Sequence, residues 1–281
     1  MDACCVEWVK LDSDLTVVAG AERAWTYKGH RPIDGLFNTP MEHAGAIAST
    51  AQLLDGVIWA ALEASPNADL RPSMTLNRYV WQLIGNFHTA AYTPSFCGEI
   101  AQKLRASGNT VFAEFIEEKA REESGHDLLA LRDLEALGFR ARELTESIYP
   151  PTSRALNEWI SNRTAHGDVL SIVGYLYALE RLAAALTDDH LKKVSKLLPP
   201  GVKAMRCLKI HSGSGTDARH VEEGVEFICG LEAHERTSIA KACFRATQII
   251  YSAQDEWVQS DEELDELFAP FRHCAVASGN A

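Results

Sequence analysis

Glu117-Glu118-Lys119-Ala120-Arg121-Glu122-Glu123-Ser124-Gly125-His126-Asp127-Leu128-Leu129 is the stretch that decides the fold. Around it, apolar residues recur with the helical period and predict one long amphipathic helix, capped by Asn109 or Thr110 and ending at Gly138. Glu123 and His126 fall inside its apolar face. The other members of that face are Phe112, Phe115, Ile116, Ala130, Leu134 and Leu137.

Glu123 and His126, three residues apart, lie one above the other on such a helix and can bind a single ion. Their charged neighbours Glu117, Glu118 and Glu122 fall beside the apolar face or opposite it, where charges belong. Burying the inward pair without a partner would carry the desolvation cost of an ion. For this motif alone, the plainer interpretation is a structural Glu–His hydrogen bond. A metal site is favoured only if other helices also place carboxylates or histidines on their apolar faces.

Two further helices repeat the anomaly. Asp168 is a good cap for a helix over 169–181, whose apolar face has Glu180 at its centre while Arg181 points elsewhere. After a break at 198–201, a helix from Thr216 or Asp217 carries Asp217 and His220 on its apolar stripe. Asp217 has the alternative role of a helix cap. His211 lies just upstream of this pair.

Three other polar or aromatic residues have both a functional and a structural interpretation. His88 shares a stripe with Trp81 and Ile84, where a histidine is more often part of the core than a ligand. Lys119 lies one turn before Glu123 on the inner face. Its amine could donate a proton or hold a substrate carboxylate, although the favoured interpretation is that its stem reaches the surface. Tyr177 is a candidate to line the pocket, although aromatics at this spacing usually pack in the core.

Carboxylates and histidines projecting from facing helices are the known way to build a two-metal carboxylate site in a bundle core. Oxygen and nitrogen ligands without thiolate suit iron or manganese better than structural zinc. Three carboxylates against two divalent ions would bring such a site near neutrality. The sequence therefore predicts a dinuclear site that includes Glu123, His126, Glu180, Asp217 and His220.

The segment 113–138, together with 174–180 and 217–220, resembles the heme-oxygenase-like diiron oxidases and oxygenases over roughly residues 74–258. The resemblance implies a seven-helix fold, two ferrous ions and dioxygen as co-substrate. Some of those enzymes cleave carbon–carbon bonds of fatty acids or amino acids, and others hydroxylate nitrogen. Position by position, the resemblance makes Glu123, His126, Glu180, Asp217 and His220 metal ligands. His211 resembles the additional histidine of the nitrogen-oxygenating members.

The chain departs from the family pattern in two places. Members usually supply a glutamate from the first core helix about 35 residues before the second-helix histidine, and here that neighbourhood offers His88, Thr89 and Ala90. Either His88 substitutes as a ligand or one iron is poorly held. His211 precedes Asp217 by six residues rather than four, through two glycines, so the helix must break there. We expect that glycine segment to become ordered only when metal binds.

The architecture predicted is a single all-α bundle of about seven helices over 41–258. Residues 1–40 are predicted to be an irregular extension with a short strand at 15–18, and 259–281 an acidic, solvated tail. Within the bundle we expect helices over 41–62, from 74 to 88 with a stop at Pro94, and over 95–106, 110–138, 152–165, 169–181, 216–231 and 234–257.

Composition narrows the function further. Acidic residues outnumber basic ones by 39 to 27, which argues against a nucleic-acid partner. No apolar run approaches the ~20 residues that span a bilayer, and the first residues do not resemble a secretion signal, so we expect a cytoplasmic protein without a membrane partner. The seven cysteines show no metal-binding spacing.

The function expected from these observations is dioxygen activation at a nonheme diiron site. The substrate would be a small amine- or amino-acid-like molecule, oxidised by nitrogen oxygenation or by carbon–carbon or carbon–nitrogen cleavage. An external electron donor and a homodimer are compatible with it. One alternative keeps the fold without iron, as in enzymes similar to thiaminase II and pyrroloquinoline-quinone synthase. The other is a degenerate bundle that only binds a ligand or a protein.

Overall fold

The computed structural model of the chain describes residues 6–28, 37, 39–65, 72–212, 216–252, 256 and 258–273. The strands are β1 (Glu7–Lys10), β2 (Leu15–Ala19) and β3 (Ala24–Lys28). The helices are α1 (Ile47–Ala64), α2 (Leu76–Ala106), α3 (Thr110–Glu122), α4 (His126–Ala136), α5 (Ala141–Ser147), α6 (Pro151–Ala165), α7 (Ser171–Ala184), α8 (Asp188–Leu197), α9 (Arg206–Ile210), α10 (Asp217–Cys229), α11 (Ala233–Tyr251) and α12 (Asp261–Phe268).

The predicted all-α bundle is confirmed, and its helices pack around two apolar clusters. The larger cluster lies between α1, the second half of α2, α3, α6, α7, α10 and α11, and the smaller lies between the first half of α2, α4, α5, α9 and α12. Helices α7 and α11 approach closely at Gly174, where a Cβ atom would lie only 2.4 Å from the carbonyl oxygen of Ile239. No helix in the described part of the chain is long and apolar enough to cross a membrane.

The N-terminal segment is more regular than predicted. The strand expected at 15–18 is confirmed as β2, and it pairs with β1 and β3 in an antiparallel three-stranded sheet. Gly56 on α1 lets the sheet approach, because a Cβ there would lie 2.6 Å from the Cβ of Ala24. Glu7, fully buried, pairs with Arg236 of α11 at 2.9 Å and ties the sheet to the bundle.

Helix α2 corrects the prediction of two helices separated at Pro94. It is a single helix with Pro94 in its interior. A proline there removes one backbone hydrogen bond and costs roughly 3 kcal/mol. The residues that follow it, Phe96, Cys97 and Ile100, are all buried, and their packing outweighs that local cost.

The prediction of one long helix over 110–138 is also wrong, because the structure has two helices there. Asn109 caps it as expected, with its side chain accepting the Phe112 amide, but the helix stops at Glu122 and resumes at His126. Gly125 adopts a left-handed conformation with φ of 85°. Glu123 and His126 therefore lie on either side of a break rather than one above the other on a continuous helix.

The acidic C-terminal segment is not simply solvated surface. Residues 261–268 form α12, whose Leu264 and Phe268 are buried against α2. Four cysteines within the described chain, Cys97, Cys207, Cys229 and Cys243, are unpaired. The glycine segment 213–215, expected to become ordered with metal, lies outside the described residues, as do Cys4, Cys5, Cys274 and the last predicted residue of α11, Trp257.

Candidate metal centre

The predicted polar residues converge in the middle of the bundle as two donor groups. Donor group A is Glu123, His126 and His211, and donor group B is Glu123, Glu180 and His220. Within each group, one ligand atom per residue lies within 4.8 Å of the others. Glu123 belongs to both groups, which is the arrangement expected of a carboxylate that bridges two ions.

Group A is assembled by the break between α3 and α4 and by the end of α9. Across the break, Glu123 Oε2 lies 3.0 Å from His126 Nδ1. The His126 and His211 rings meet edge to face with centroids 4.9 Å apart. His211 Nδ1 lies 3.3 Å from both carboxylate oxygens of Asp217, the first residue of α10, which is 1% exposed. Asp217 therefore orients the His211 ring.

Group B joins α7 to α10 and is more deeply buried. Glu180 is 6% exposed and His220 is 1% exposed. His220 Nδ1 lies 3.6 Å from Glu180 Oε1 and 3.9 Å from Asp217 Oδ1. Neither Glu180 Oε1 nor His220 Nδ1 makes a hydrogen bond in the described structure. Glu180 Oε1 has an ion-pair partner in Lys119 Nζ at 3.4 Å, but neither atom has the hydrogen bond that buried polar atoms usually make. A metal ion between them would satisfy both.

Lys119 is buried, and the surface position that we favoured from the sequence is wrong. Only 2% of the residue is exposed. Its Nζ lies 3.1 Å from Glu122 Oε2, 3.4 Å from Glu180 Oε1 and 3.7 Å from Glu223 Oε2. The ammonium group thus lies beside group B, on the side of the carboxylates that faces α3.

Glu122 is a residue of this cluster that the sequence did not reveal. Its side chain is 13% exposed, and its Oε2 lies 3.3 Å from His220 Nε2. Arg219 Nη2 lies 3.0 Å from Glu122 Oε1 and 3.2 Å from the same His220 nitrogen. Glu122 is the last residue of α3 and lies at the edge of its apolar face, where the helical period does not separate buried from exposed positions. The one available signal was its position three residues after the inward Lys119, which permits an ion pair.

The electrostatics of the two groups differ. Burial on its own would raise the pKa of Glu123, but the His126 hydrogen bond and charge outweigh it and lower that pKa. The same hydrogen bond raises the pKa of His126, against the effect of burial. In group B, burial raises the pKa of Glu180 to about 8, and Glu123 and Asp217 add to the rise despite the opposing charge of Lys119. Burial, with the nearby charge of Lys119, lowers the pKa of His220.

Two sequence candidates lie elsewhere. His88 belongs to neither donor group, because its Nε2 lies 2.8 Å from the Ile148 carbonyl oxygen and its ring stacks on Tyr149. Tyr177, a catalytic candidate, directs its hydroxyl to Asp55 on α1, which Arg181 also binds. This contact clamps α7 to α1 and confirms that Arg181 points away from Glu180. The contacts of His88 and Tyr177 in this structure therefore lie away from the two donor groups.

A cavity of about 370 Å³ leads from the surface to the donor groups. Arg78, Trp81 and Glu256 lie at its outer end, and Glu123, Glu180, His211 and Asp217 lie at its inner end. Its polar side follows α2 through Gln82, Asn86, Thr89 and Thr93. Its apolar wall comes from Leu176, Leu179, Leu182 and Ala183 of α7 and from Leu186, which follows that helix. A cavity of this size and mixed lining is typical of a small-molecule site.

The donor set fits iron. It consists of carboxylates and imidazoles, and no thiol of the described residues belongs to either group. The hydrogen-bond-free atoms Glu180 Oε1 and His220 Nδ1 and the shared Glu123 are the structural features that an ion would satisfy. Where the family pattern has a first-helix glutamate, α2 brings Thr89 and Ala90 to the cavity, and neither is a carboxylate.

Comparison with known proteins identifies the family and the fold of the chain. A family model described as an iron-containing redox enzyme matches residues 80–254. A crystal structure from Shewanella denitrificans OS217, of a domain of unknown function with a heme oxygenase-like fold, superposes with a TM-score of 0.57 at 21% identity. The superposition covers 78% of this chain and 90% of that one. It confirms the predicted heme-oxygenase-like fold. A search of curated proteins found no match.

Proposed function

We propose, because the chain belongs to the iron-containing redox enzyme family, that it is a diiron oxidase or oxygenase that uses dioxygen to oxidise a small amine- or amino-acid-like molecule. The reaction would be nitrogen oxygenation or oxidative cleavage of a carbon–carbon or carbon–nitrogen bond. One observation carries the proposal: two donor groups share Glu123 at the closed end of a cavity that opens to solvent.

Glu123, His126 and His211 would hold one ion, and Glu123, Glu180 and His220 the other. Two ferrous ions held there would supply the electrons that reduce dioxygen, which spin and redox barriers otherwise keep from reacting with closed-shell organic molecules. The contribution of the protein is to fix the ligands. Asp217 orients His211, and Glu122 lies against the outer nitrogen of His220 and leaves its inner nitrogen free.

The cavity supports an organic substrate rather than a gas alone. Its α2 side offers amide and hydroxyl groups for hydrogen bonds, and its α7 side offers leucines that exclude water from the inner end. Arg78 at the outer end, whose Nη2 donates to the Gln259 carbonyl, is the cationic group suited to a substrate carboxylate. We propose that Arg78 attracts such a carboxylate at the entrance and that the substrate then binds with its reacting atom at the inner end. An external electron donor is part of the proposal.

Anaerobic loading with ferrous ion, followed by mixing with oxygen, tests this function. Iron bound per chain is measured first, then oxygen consumption and a transient visible absorption band in the presence of candidate amines and amino acids. The proposal requires bound iron and a band that a substrate quenches. Absence of iron uptake, or full activity with a candidate substrate after exhaustive chelation, would instead favour a metal-independent enzyme of the same fold.

A further inference from the structure

The two donor groups differ in what already neutralises them. The ion-pair partner of Glu123 is His126, at 3.0 Å, and no lysine or arginine of the described residues lies within ion-pair distance of the Glu123 carboxylate. Group B is bordered by the buried ammonium group of Lys119, 3.4 Å from Glu180 Oε1. That oxygen also lies 3.6 Å from His220 Nδ1, and neither atom has a hydrogen bond. The oxygen that a metal in group B would need is therefore the one that faces Lys119.

We propose, on the basis of the function above, that Lys119 competes with the second metal ion and makes the two groups fill unequally. The first ion binds group A, whereas an ion in group B must displace the Lys119 ammonium from Glu180. This assignment concerns a residue that is not itself a metal ligand. It makes Lys119 a residue that sets the occupancy of the dinuclear site.

The charge of the cluster supports unequal filling. Carboxylates of Glu122, Glu123, Glu180 and Asp217 surround the site. Ionised, these four carboxylates would balance two divalent ions without any further cation. With the Lys119 ammonium beside them the total is −3, so one divalent ion brings it to −1 and a second brings it to +1, whereas without the ammonium the second ion would bring it to zero. Net charge in a buried environment is costly, so Lys119 disfavours the second ion.

The surroundings also offer Lys119 a second position. Glu122 at 3.1 Å and Glu223 at 3.7 Å both accept its charge, and the Glu223 side chain is 39% exposed. Displacement from Glu180 therefore moves the ammonium toward two remaining carboxylates rather than leaving it unpaired. Phe115, whose ring centroid is 5.9 Å from Nζ, borders the same path. The second ion thus binds at a reduced affinity rather than being excluded.

Anaerobic titration of the full chain with ferrous ion, with bound iron counted after ultrafiltration, tests the proposal without reference to activity. Wild-type protein should bind one ion tightly and a second more weakly. Lys119→Met keeps most of the side-chain volume, removes the charge, and should tighten the second binding event by at least about tenfold. Lys119→Arg keeps the charge and should leave the second event weak. Lys192→Met, at an exposed lysine paired with Asp189, is the matched control for net charge.

The outcomes separate this inference from the proposed function. Two ions bound by wild type with equal affinity, unchanged in Lys119→Met, would overturn the role of Lys119 and leave the diiron function standing. Loss of the second ion in Lys119→Met would show that the lysine organises group B instead of competing for it. No iron bound by any variant would overturn both. If Lys119→Met folds poorly without metal, Glu223→Gln gives a second test: removing the alternative partner should weaken the second event further.

Discussion

Groups A and B present the same kinds of ligand but differ in the charge beside them. In group A, Glu123 hydrogen-bonds to the His126 imidazole, which is itself a candidate ligand, and this bond raises the pKa of His126. Group B is bordered by the ammonium group of Lys119, whose four-carbon stem would have to move for an ion to bind Glu180. Two donor groups with the same ligand types can therefore differ in the fixed charge that an arriving ion meets.

Glu123 belongs to both donor groups, so a substitution there should affect both of them. Glu123→Ala should remove both ions and lower iron-dependent oxygen consumption by about a hundredfold or more. Glu118→Ala is the matched control, since Glu118 is an exposed neighbour paired with Arg121. Iron content and oxygen uptake measure the effect. Wild-type turnover in Glu123→Ala would defeat the assignment of the site.

His126 and His220 separate the two groups, because each belongs to one of them. His126→Ala should lose the tight ion and His220→Ala the weak one, each leaving about one ion per chain at saturating iron. Mössbauer spectra of the two variants should show two different mononuclear sites. The same residual spectrum in both variants would mean that the groups do not act as separate sites.

Glu180 tests the charge of group B in the metal-free protein. Its pKa in the folded state is about 8, above the ordinary value of 4.5, so folding favours the protonated acid. The unfolded chain then binds fewer protons between these pH values, and stability falls as the pH rises through this window. Glutamine does not ionise, so the stability of metal-free Glu180→Gln should not fall in this way as the pH rises. The variant should be more stable than wild type at pH 8.5 by on the order of 2 kcal/mol, with little difference at pH 4.5. Thermal unfolding after chelation measures it, and equal shifts at both pH values would contradict it.

Gly125 tests the backbone of group A, because its left-handed φ of 85° separates Glu123 from His126. Gly125→Ala should destabilise the protein by about 1 kcal/mol and weaken the tight ion severalfold. Gly138→Ala is a close control, since Gly138 has φ of 89°, lies at the far end of α4, and has no atom within 4 Å that an added methyl group would meet. Both variants should melt earlier, but only Gly125→Ala should lose iron affinity. Similar iron binding in the two would show that the break does not set the ligand geometry.

Much of this site follows from periodicity, and the remainder depends on how the helices end. Glu180 and His220 were predictable because each lies on an apolar face of a regular helix, and the structure buries both. Glu123 and His126 were grouped correctly although their helix breaks, since the turn at Gly125 keeps them within 3.0 Å. Glu122 was not predictable, because it lies at the edge of the apolar face of α3, where the helical wheel does not decide between the interior and solvent. Pro94 shows the converse: the sequence pattern ends a helix there, but the buried residues that follow it keep α2 continuous.

Arg78 tests the cavity separately from the two donor groups, because it lines the cavity but belongs to neither group. It lies fifteen residues before Thr93 on α2, which places it about 22 Å along the helix from the inner end. A guanidinium at that distance does not reach a small substrate whose reacting atom lies at the inner end, but it can attract the carboxylate of such a substrate at the entrance. Arg78→Gln should therefore raise KM severalfold for a carboxylate-bearing substrate, with kcat and both iron affinities unchanged, because the interaction precedes the chemical step. A fall in kcat or in bound iron would show instead that its bond to the Gln259 carbonyl supports the fold around the site.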